Sequence, residues 1–226
     1  MATVEQEAPP LAAGMRLTRE EFFRRWDMHP EITKAELLGG IVYMPSPVSP
    51  EHGDSESDLG TWIGTYRVAT PGTISGHNTT SLMLDDAPQA DINLRIALEC
   101  GGRSWAEGRR LHGAPELITE ICLSSADYDL HVKFDLYEAI GVQEYLAILV
   151  ERQEIRWHIL VDGRYQILPP DADGIRRSRV FRGLWLHGQA LQQGDMPKVL
   201  AVLQTGLASP EHQAFVNLLA SKRAGK

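Results

Sequence analysis

The sequence predicts an α/β fold, a mixed sheet flanked by helices. Residues 89–98, QADINLRIAL, alternate cleanly: Ile92, Leu94 and Ile96 share one face, and Asp91, Asn93 and Arg95 share the other. Residues 115–123, PELITEICL, are apolar on both faces apart from their acids and Thr119, the pattern of a buried central strand. A helical pattern, DYDLHVKFDLYEAIG, follows directly, and a short apolar strand, EYLAILV, comes after it.

The elements can be read in order. Residues 1–16 carry acids and prolines and read as a flexible tail. Thr18 precedes Glu20 and Glu21, an N-cap followed by first-turn acids, and Phe22, Phe23 and Trp26 supply the apolar face of a helix reaching Met28. AELLGGIVYMPSP reads as two strands around a Gly39-Gly40 turn, stopped by Pro45 and Pro47. Leu59, Trp62, Ile63 and Tyr66 mark a helix over Glu51 to Tyr66. Ile74 to Gly76 and Leu82 to Leu84 read as short extended pieces, and ECGGRSWAEGRRLHG as a Gly- and Arg-rich loop. Ser124, Ser125 or Asp127 can cap the helix that Gly141 ends. QEIRWHILV alternates Ile155, Trp157 and Ile159 against Arg156 and His158; strands continue around RYQIL and VFRGLWL, and the chain is helical again from Pro197. The domain expected is a single one over 17–226 with a C-terminal helical extension.

Composition narrows the function classes. The 226 residues suit one large domain that needs no disulfide or metal merely to fold. With 22 Lys and Arg against 30 Asp and Glu, the net charge of −8 argues against a wholesale basic coat for nucleic acid, though not against a local basic patch. Cys100 and Cys122 are the two cysteines and form no CxxC, which disfavours a disulfide scaffold or a thiolate zinc site. The first residues do not resemble a signal peptide, and no apolar run approaches the ~20 residues of a membrane span. A cytoplasmic protein with no membrane partner is expected.

Three residues break their local patterns. Glu120 stands among Leu117, Ile118, Ile121 and Leu123, where a carboxylate is costly unless paired, hydrogen-bonded or metal-bound; a strand-end Glu reaching solvent or an Arg is the alternative. Asp91 opens the polar face of its strand, and two neighbouring strands each offering an acid can make an oxygen site for Mg²⁺. Lys133 shares a helical stripe with Leu130, Phe134, Tyr137, Ile140 and Gly141, so it either snorkels to water or enters a polar pocket. Together they suggest metal-assisted hydrolysis, with the lysine orienting water or neutralising a phosphate. Arg103, Arg109 and Arg110 flank Trp105 in the loop between the two acid strands, a composition suited to phosphate contact and base stacking. A solvated loop surface, or pairing of Arg109 or Arg110 with Glu116, is the alternative. Arg176, Arg177, Arg179 and Arg182 form a second basic run.

On ELLGGIVYMPSP at 36–47, His52, QADINL at 89–94, PELITEICLSS at 115–125 and DLHVKFDLYEAIGVQEYLAI at 129–148, the chain resembles the Uma-type restriction endonuclease family, within the PD-(D/E)XK nuclease superfamily. The similarity covers residues 18 to about 190. It implies a restriction-endonuclease-like core and hydrolysis of DNA phosphodiesters with Mg²⁺ or Mn²⁺. Asp91 and Glu120 match the motif acids and Glu36 the additional upstream acid, so these three are the expected metal ligands, with Asp91, Glu120 and Lys133 catalytic. Two departures stand out: Ala90 replaces the motif Pro, and Cys122 replaces the motif Lys. A thiol cannot act as an ammonium; the resemblance implies that the lysine has moved to the next helix, where Lys133 stands. His52 and Cys122 would line the site. A homodimer would suit cutting both strands of a duplex. The competing expectations are a catalytically inactive nucleic-acid-binding or protein-interaction module on the same fold, and a hydrolase of small phosphoesters.

Overall fold

The computed structural model describes residues 8–44, 49–123 and 126–225. Helix α1 runs Arg19–Met28, and the Thr18 hydroxyl caps it by accepting from the Glu21 amide. Phe22 of α1 joins Leu11, Leu37 and Val42 in a small core, with Phe23 and Trp26 packed against it. The expected tail therefore does not hold as far as residue 16. Ala8 and Leu11 are buried, and the Gly14 amide donates to the Val42 carbonyl. Residues 1–7 lie outside the described residues.

Strands β1 (Glu36–Leu38) and β2 (Ile41–Tyr43) pair antiparallel. Gly39 and Gly40 both take positive φ, 58° and 72°, the conformation that a two-residue hairpin turn requires. The Pro45 and Pro47 stops lie outside the described residues. Helix α2 (Pro50–Ala69) begins at Ser49, whose hydroxyl accepts from the His52 amide, and buries Leu59, Trp62, Ile63 and Tyr66.

The main sheet has eight strands: β3 (Thr73–Leu82), β4 (Gln89–Ile96), β5 (Trp105–Glu107), β6 (Arg110–His112), β7 (Leu117–Cys122), β8 (Glu144–Leu149), β9 (Glu154–Val161) and β10 (Arg164–Ile167). Their spatial order is β10-β9-β8-β7-β4-β3-β6-β5. Strands β7 and β8 are parallel, so they need a crossover, and α3 (Ala126–Ile140) provides it. The acid-bearing strands β4 and β7 are neighbours at the centre. One sheet face packs Ile92, Leu94, Leu117, Ile121 and Trp157 against Leu59, Trp62, Ile63 and Tyr66 of α2. The other packs Ile118, Tyr145 and Ala147 against Leu136 and Tyr137 of α3. The polar face of β4 is thus covered.

Four sequence expectations change. The pieces at 74–76 and at Leu82 are one ten-residue strand, β3, held by β4, whereas Met83 only bridges Asp86 and Leu84 turns away at φ 51°. Asn78, at φ 47°, interrupts the ladder without shifting its register. The Gly- and Arg-rich loop contains the β5–β6 hairpin, which extends the sheet. VFRGLWL is a strand only at its end, β12 (Trp185–His187), paired with β11 (Ile175–Arg177). Buried Glu144 explains the turn before β12: it accepts from the Arg179 and Val180 amides and the Ser178 hydroxyl. Finally, the C-terminal helical region starts earlier, as α4 (Gly188–Gln192), α5 (Met196–Leu207) and α6 (Pro210–Ala224).

Gly141, at φ 84°, ends α3. The Val142 amide donates to the Tyr137 carbonyl and the Gly141 amide to that of Glu138, the paired bonds of a Schellman cap. The Ser124 and Ser125 capping expectation lies outside the described residues. Among the described residues, no helix is long and apolar enough to cross a membrane.

Candidate active site

The register of β4 against β7 pairs Ile92 with Thr119, Asn93 with Ile118 and Leu94 with Leu117. Continued by one position, it sets Asp91 opposite Glu120. Directly opposed residues hold their Cβ atoms about 4.5–5.5 Å apart. The Asp91 carboxylate accepts from the Ile121 amide at 2.8 Å, which ties it to that end of β7. On the other flank, β3 pairs His77 with Ile92 and Thr79 with Ala90, so Asn78 lies level with Asp91.

Lys133 enters this site from α3. Its ammonium donates to both Glu120 oxygens at 3.2 Å and lies 2.9 Å from Glu36 Oε1. One helical turn on, the Tyr137 hydroxyl donates to Glu120 Oε1 at 2.7 Å. Glu36 Oε1 also accepts from the Gln89 amide at 2.6 Å, which joins β1 to β4. Asp91 Oδ1 faces His52 Nε2 at 3.7 Å and Lys34 Nζ at 3.8 Å. Lys34 itself donates to Asn78 Oδ1 at 2.8 Å. Glu36, Asp91, Glu120 and Lys133 are each no more than 8% exposed, so their charges act with little screening by water.

Burial, with the Asp91 and Glu36 charges, pushes Glu120 up to about 7, against Lys133 and the Tyr137 hydrogen bond. Burial opposes the Lys133 ammonium, but Glu120 and Glu36 overcome it and hold its pKa above the ordinary lysine value. Burial also raises Asp91, yet His52 and the Ile121 amide outweigh it and keep that carboxyl below its usual range. Asp91 in turn raises His52.

The sequence pattern marks Tyr137 only as part of an apolar stripe; its position four residues after Lys133 is the available signal. The pattern does not single out Gln89 or Lys34. Gln89 lies two residues before Asp91 on the same strand face. Lys34 precedes Glu36 by two residues in irregular chain, where spacing carries no directional signal. Cys122 ends β7, half-buried, and Lys133 supplies the ammonium beside Glu120.

The three arginines part company. Arg103 donates to the Gly141 carbonyl at 2.7 Å and its backbone amide to Glu116. It is Arg103, rather than Arg109 or Arg110, whose side chain approaches Glu116, at 3.9 Å. Arg110 donates to both Asp27 oxygens at 2.9 and 3.0 Å and lies 3.7 Å over the Phe23 ring. Arg109 lines a cavity beside Gln89. Trp105 stacks on His112 across its hairpin. Of the second run, Arg177 pairs with Asp171 and Asp173 and lies over Trp185.

Among the described residues no three His, Cys, Asp or Glu side chains gather into a complete metal cage. Mg²⁺ does not need one, because it is usually held by one or two carboxylates together with waters and substrate phosphate. The chemistry of Asp91 and Glu120, two hard oxygen donors on opposed strand positions, fits that demand. Asp91 Oδ1 lies beyond hydrogen-bond distance of both Lys34 and His52.

Residues 19–192 match the Uma2 family, described as "Putative restriction endonuclease". The fold is similar to that in a crystal structure described as "a putative nuclease belonging to DUF820 from Anabaena variabilis ATCC 29413". The TM-score is 0.54 and the identity 17%, over 69% of this chain and 87% of that one. No curated protein matches. The matched segment runs from α1 through α4 and holds Glu36, Asp91, Glu120 and Lys133, so the chain belongs to the Uma2 family.

Proposed function

We propose that the protein is a metal-dependent endonuclease that hydrolyses DNA phosphodiester bonds. The observation that carries this reading is the opposition of Asp91 and Glu120 on adjacent central strands, with Lys133 returning from the crossover helix to Glu120. Asp91 and Glu120 would hold Mg²⁺ or Mn²⁺, with Glu36 acting through water. When bound, such a cation lowers the pKa of its water and stabilises charge on the phosphate.

The chain's own groups have distinct parts. Lys133 keeps its proton because two carboxylates face it, so it acts as a fixed positive charge and hydrogen-bond donor and not as a base. Tyr137 also keeps its proton, since burial raises it well above the usual tyrosine value; it orients Glu120. His52 lies 3.7 Å from Asp91 Oδ1, and Asp91 raises its pKa, which favours the charged form.

The test is cleavage of supercoiled plasmid and of single-stranded DNA with Mg²⁺ or Mn²⁺. Cleavage that stops with chelator, and is absent in Asp91→Asn and Glu120→Gln, is the expected result. No cleavage of either substrate by the pure wild-type protein overturns it. Lys133→Gln is expected to lower kcat about 10²–10³-fold, the usual effect of removing one group that stabilises transition-state charge.

A second reading, an inactive binding or interaction module, is favoured by one observation. Lys133 already neutralises Glu36 and Glu120 by direct ion pairs. It predicts no heat of Mn²⁺ binding that depends on Asp91.

A further inference from the structure

A cavity of about 690 Å³ opens between α1 and the β3–β4 and β6 strands. It is not part of the carboxylate site but shares a wall with it. Gln89 lines the cavity, and the same residue's backbone N–H donates to Glu36. Gln89 is buried, and its side-chain amide donates to Thr80.

The opposite wall is aromatic and cationic. Phe23 and Trp26 lie parallel, at 5° with ring centroids 6.3 Å apart. The Arg110 guanidinium covers Phe23 and is fixed by Asp27. Arg109 adds a cation at the mouth, and Lys34, next to the lining residue Thr33, reaches Asp91. Flat rings and an oriented guanidinium plane are the features on which an unpaired base stacks. A base within a duplex has both faces covered by its neighbours and could not use them. The volume is ample for one nucleotide.

We propose that this cavity takes one unpaired nucleobase of the substrate strand, beside the phosphodiester held at Asp91 and Glu120. The proposal rests on the nuclease reading for that second half, and it names the substrate class as single-stranded or locally opened DNA.

Two variants replace no carboxylate-site residue. Arg110→Ala removes the guanidinium, and Asp27, 68% exposed, then meets water. Thr33→Trp fills the cavity from an exposed position. Binding is read by fluorescence anisotropy on a single-stranded oligonucleotide without divalent cation, with an abasic site moved along it. One abasic position is expected to weaken wild-type binding about tenfold, as loss of one stacked base does. Both variants should weaken binding to the intact strand similarly and lose the abasic effect, with unchanged melting temperatures. Equal affinity for every abasic position, or variants that bind like wild type, overturns the proposal. Cleavage with Mn²⁺ separates the two readings. Base-dependent binding without cleavage removes the nuclease and keeps the pocket. Cleavage that ignores both variants and the abasic site removes the pocket and keeps the nuclease.

Discussion

Glu120 is held between two demands: burial resists its charge, and Lys133 asks for it. With its pKa raised to about 7, the folded state holds its proton more tightly than the unfolded chain does. Its contribution to stability therefore falls as pH rises from the ordinary glutamate value to about 7. Lys133, also raised, works in the same sense in a more alkaline window: its contribution is full below the ordinary lysine pKa and is lost only above it. Asp91, lowered, contributes above the ordinary aspartate pKa and loses that as pH falls. Glu120→Gln should remove the decline between about pH 4.3 and 7, measured by urea unfolding at both ends of that range. A cation binding Glu120 must displace its proton. Mn²⁺ affinity should therefore rise with pH up to about 7 and level off above, with proton uptake by buffer visible in calorimetry. Lys133→Met strands Glu120 and Glu36 in a buried site and should cost about 3–5 kcal/mol. Lower pH, which protonates the acids, should return part of that loss. A loss that does not respond to pH would mean the lysine's role is packing.

At the scale of elements, the end of α3 decides where Lys133 and Tyr137 point. Gly141 has the left-handed φ that its cap needs, and a Cβ there would meet nothing closer than 3.9 Å. Gly141→Ala should therefore cost only the backbone strain of about 1–2 kcal/mol, lowering Tm by a few degrees. A larger loss would show that the Arg103 bond to the Gly141 carbonyl fails as well. The turn at residues 178–181 hangs on one buried carboxylate. Glu144→Ala leaves the Arg179 and Val180 amides without their acceptor and should destabilise by roughly 2–5 kcal/mol. Neither contact was legible in sequence, because Glu144 and Ser178 are 34 residues apart. By contrast, Thr18, the alternation of residues 89–98 and the helix stop at Gly141 were legible, since capping and periodicity are local. The length of β3 was not: HNTTS is polar and contains a left-handed Asn78, so only pairing with β4 marks it as strand.

At the scale of the whole molecule, the family match ends at residue 192, yet the core does not. Val199 and Leu203 of α5 and Phe215 and Leu219 of α6 belong to the same buried cluster as Trp62, Tyr66 and Trp157. The Thr70 hydroxyl and His212 Nε2, 2.9 Å apart, join the end of α2 to α6. Burying four such apolar side chains is worth about 1.5–3 kcal/mol each, comparable to the total stability of a domain, about 5–15 kcal/mol. A chain truncated after Gly194 should therefore lose its cooperative unfolding transition. A truncated form that melts like the full chain would show α5 and α6 to be dispensable.

The sequence by itself determined the layered α/β class, the order of its main elements and the residues worth suspecting. Asp91, Glu120 and Lys133 each break a short-range pattern, and such patterns follow from backbone periods of 2.0 and 3.6 residues. The tertiary structure alone decided what those residues meet. Cross-strand register set Asp91 against Glu120, and the crossover helix brought Lys133 and Tyr137 down on them. The β1–β2 hairpin added Glu36, and the covered sheet face made the charges matter by excluding water. Three arginines that looked alike in one loop were sent to a helix end, a cavity mouth and an aromatic ring. Contacts between residues distant in the chain depend on how sheets and helices pack, and no short-range pattern records that.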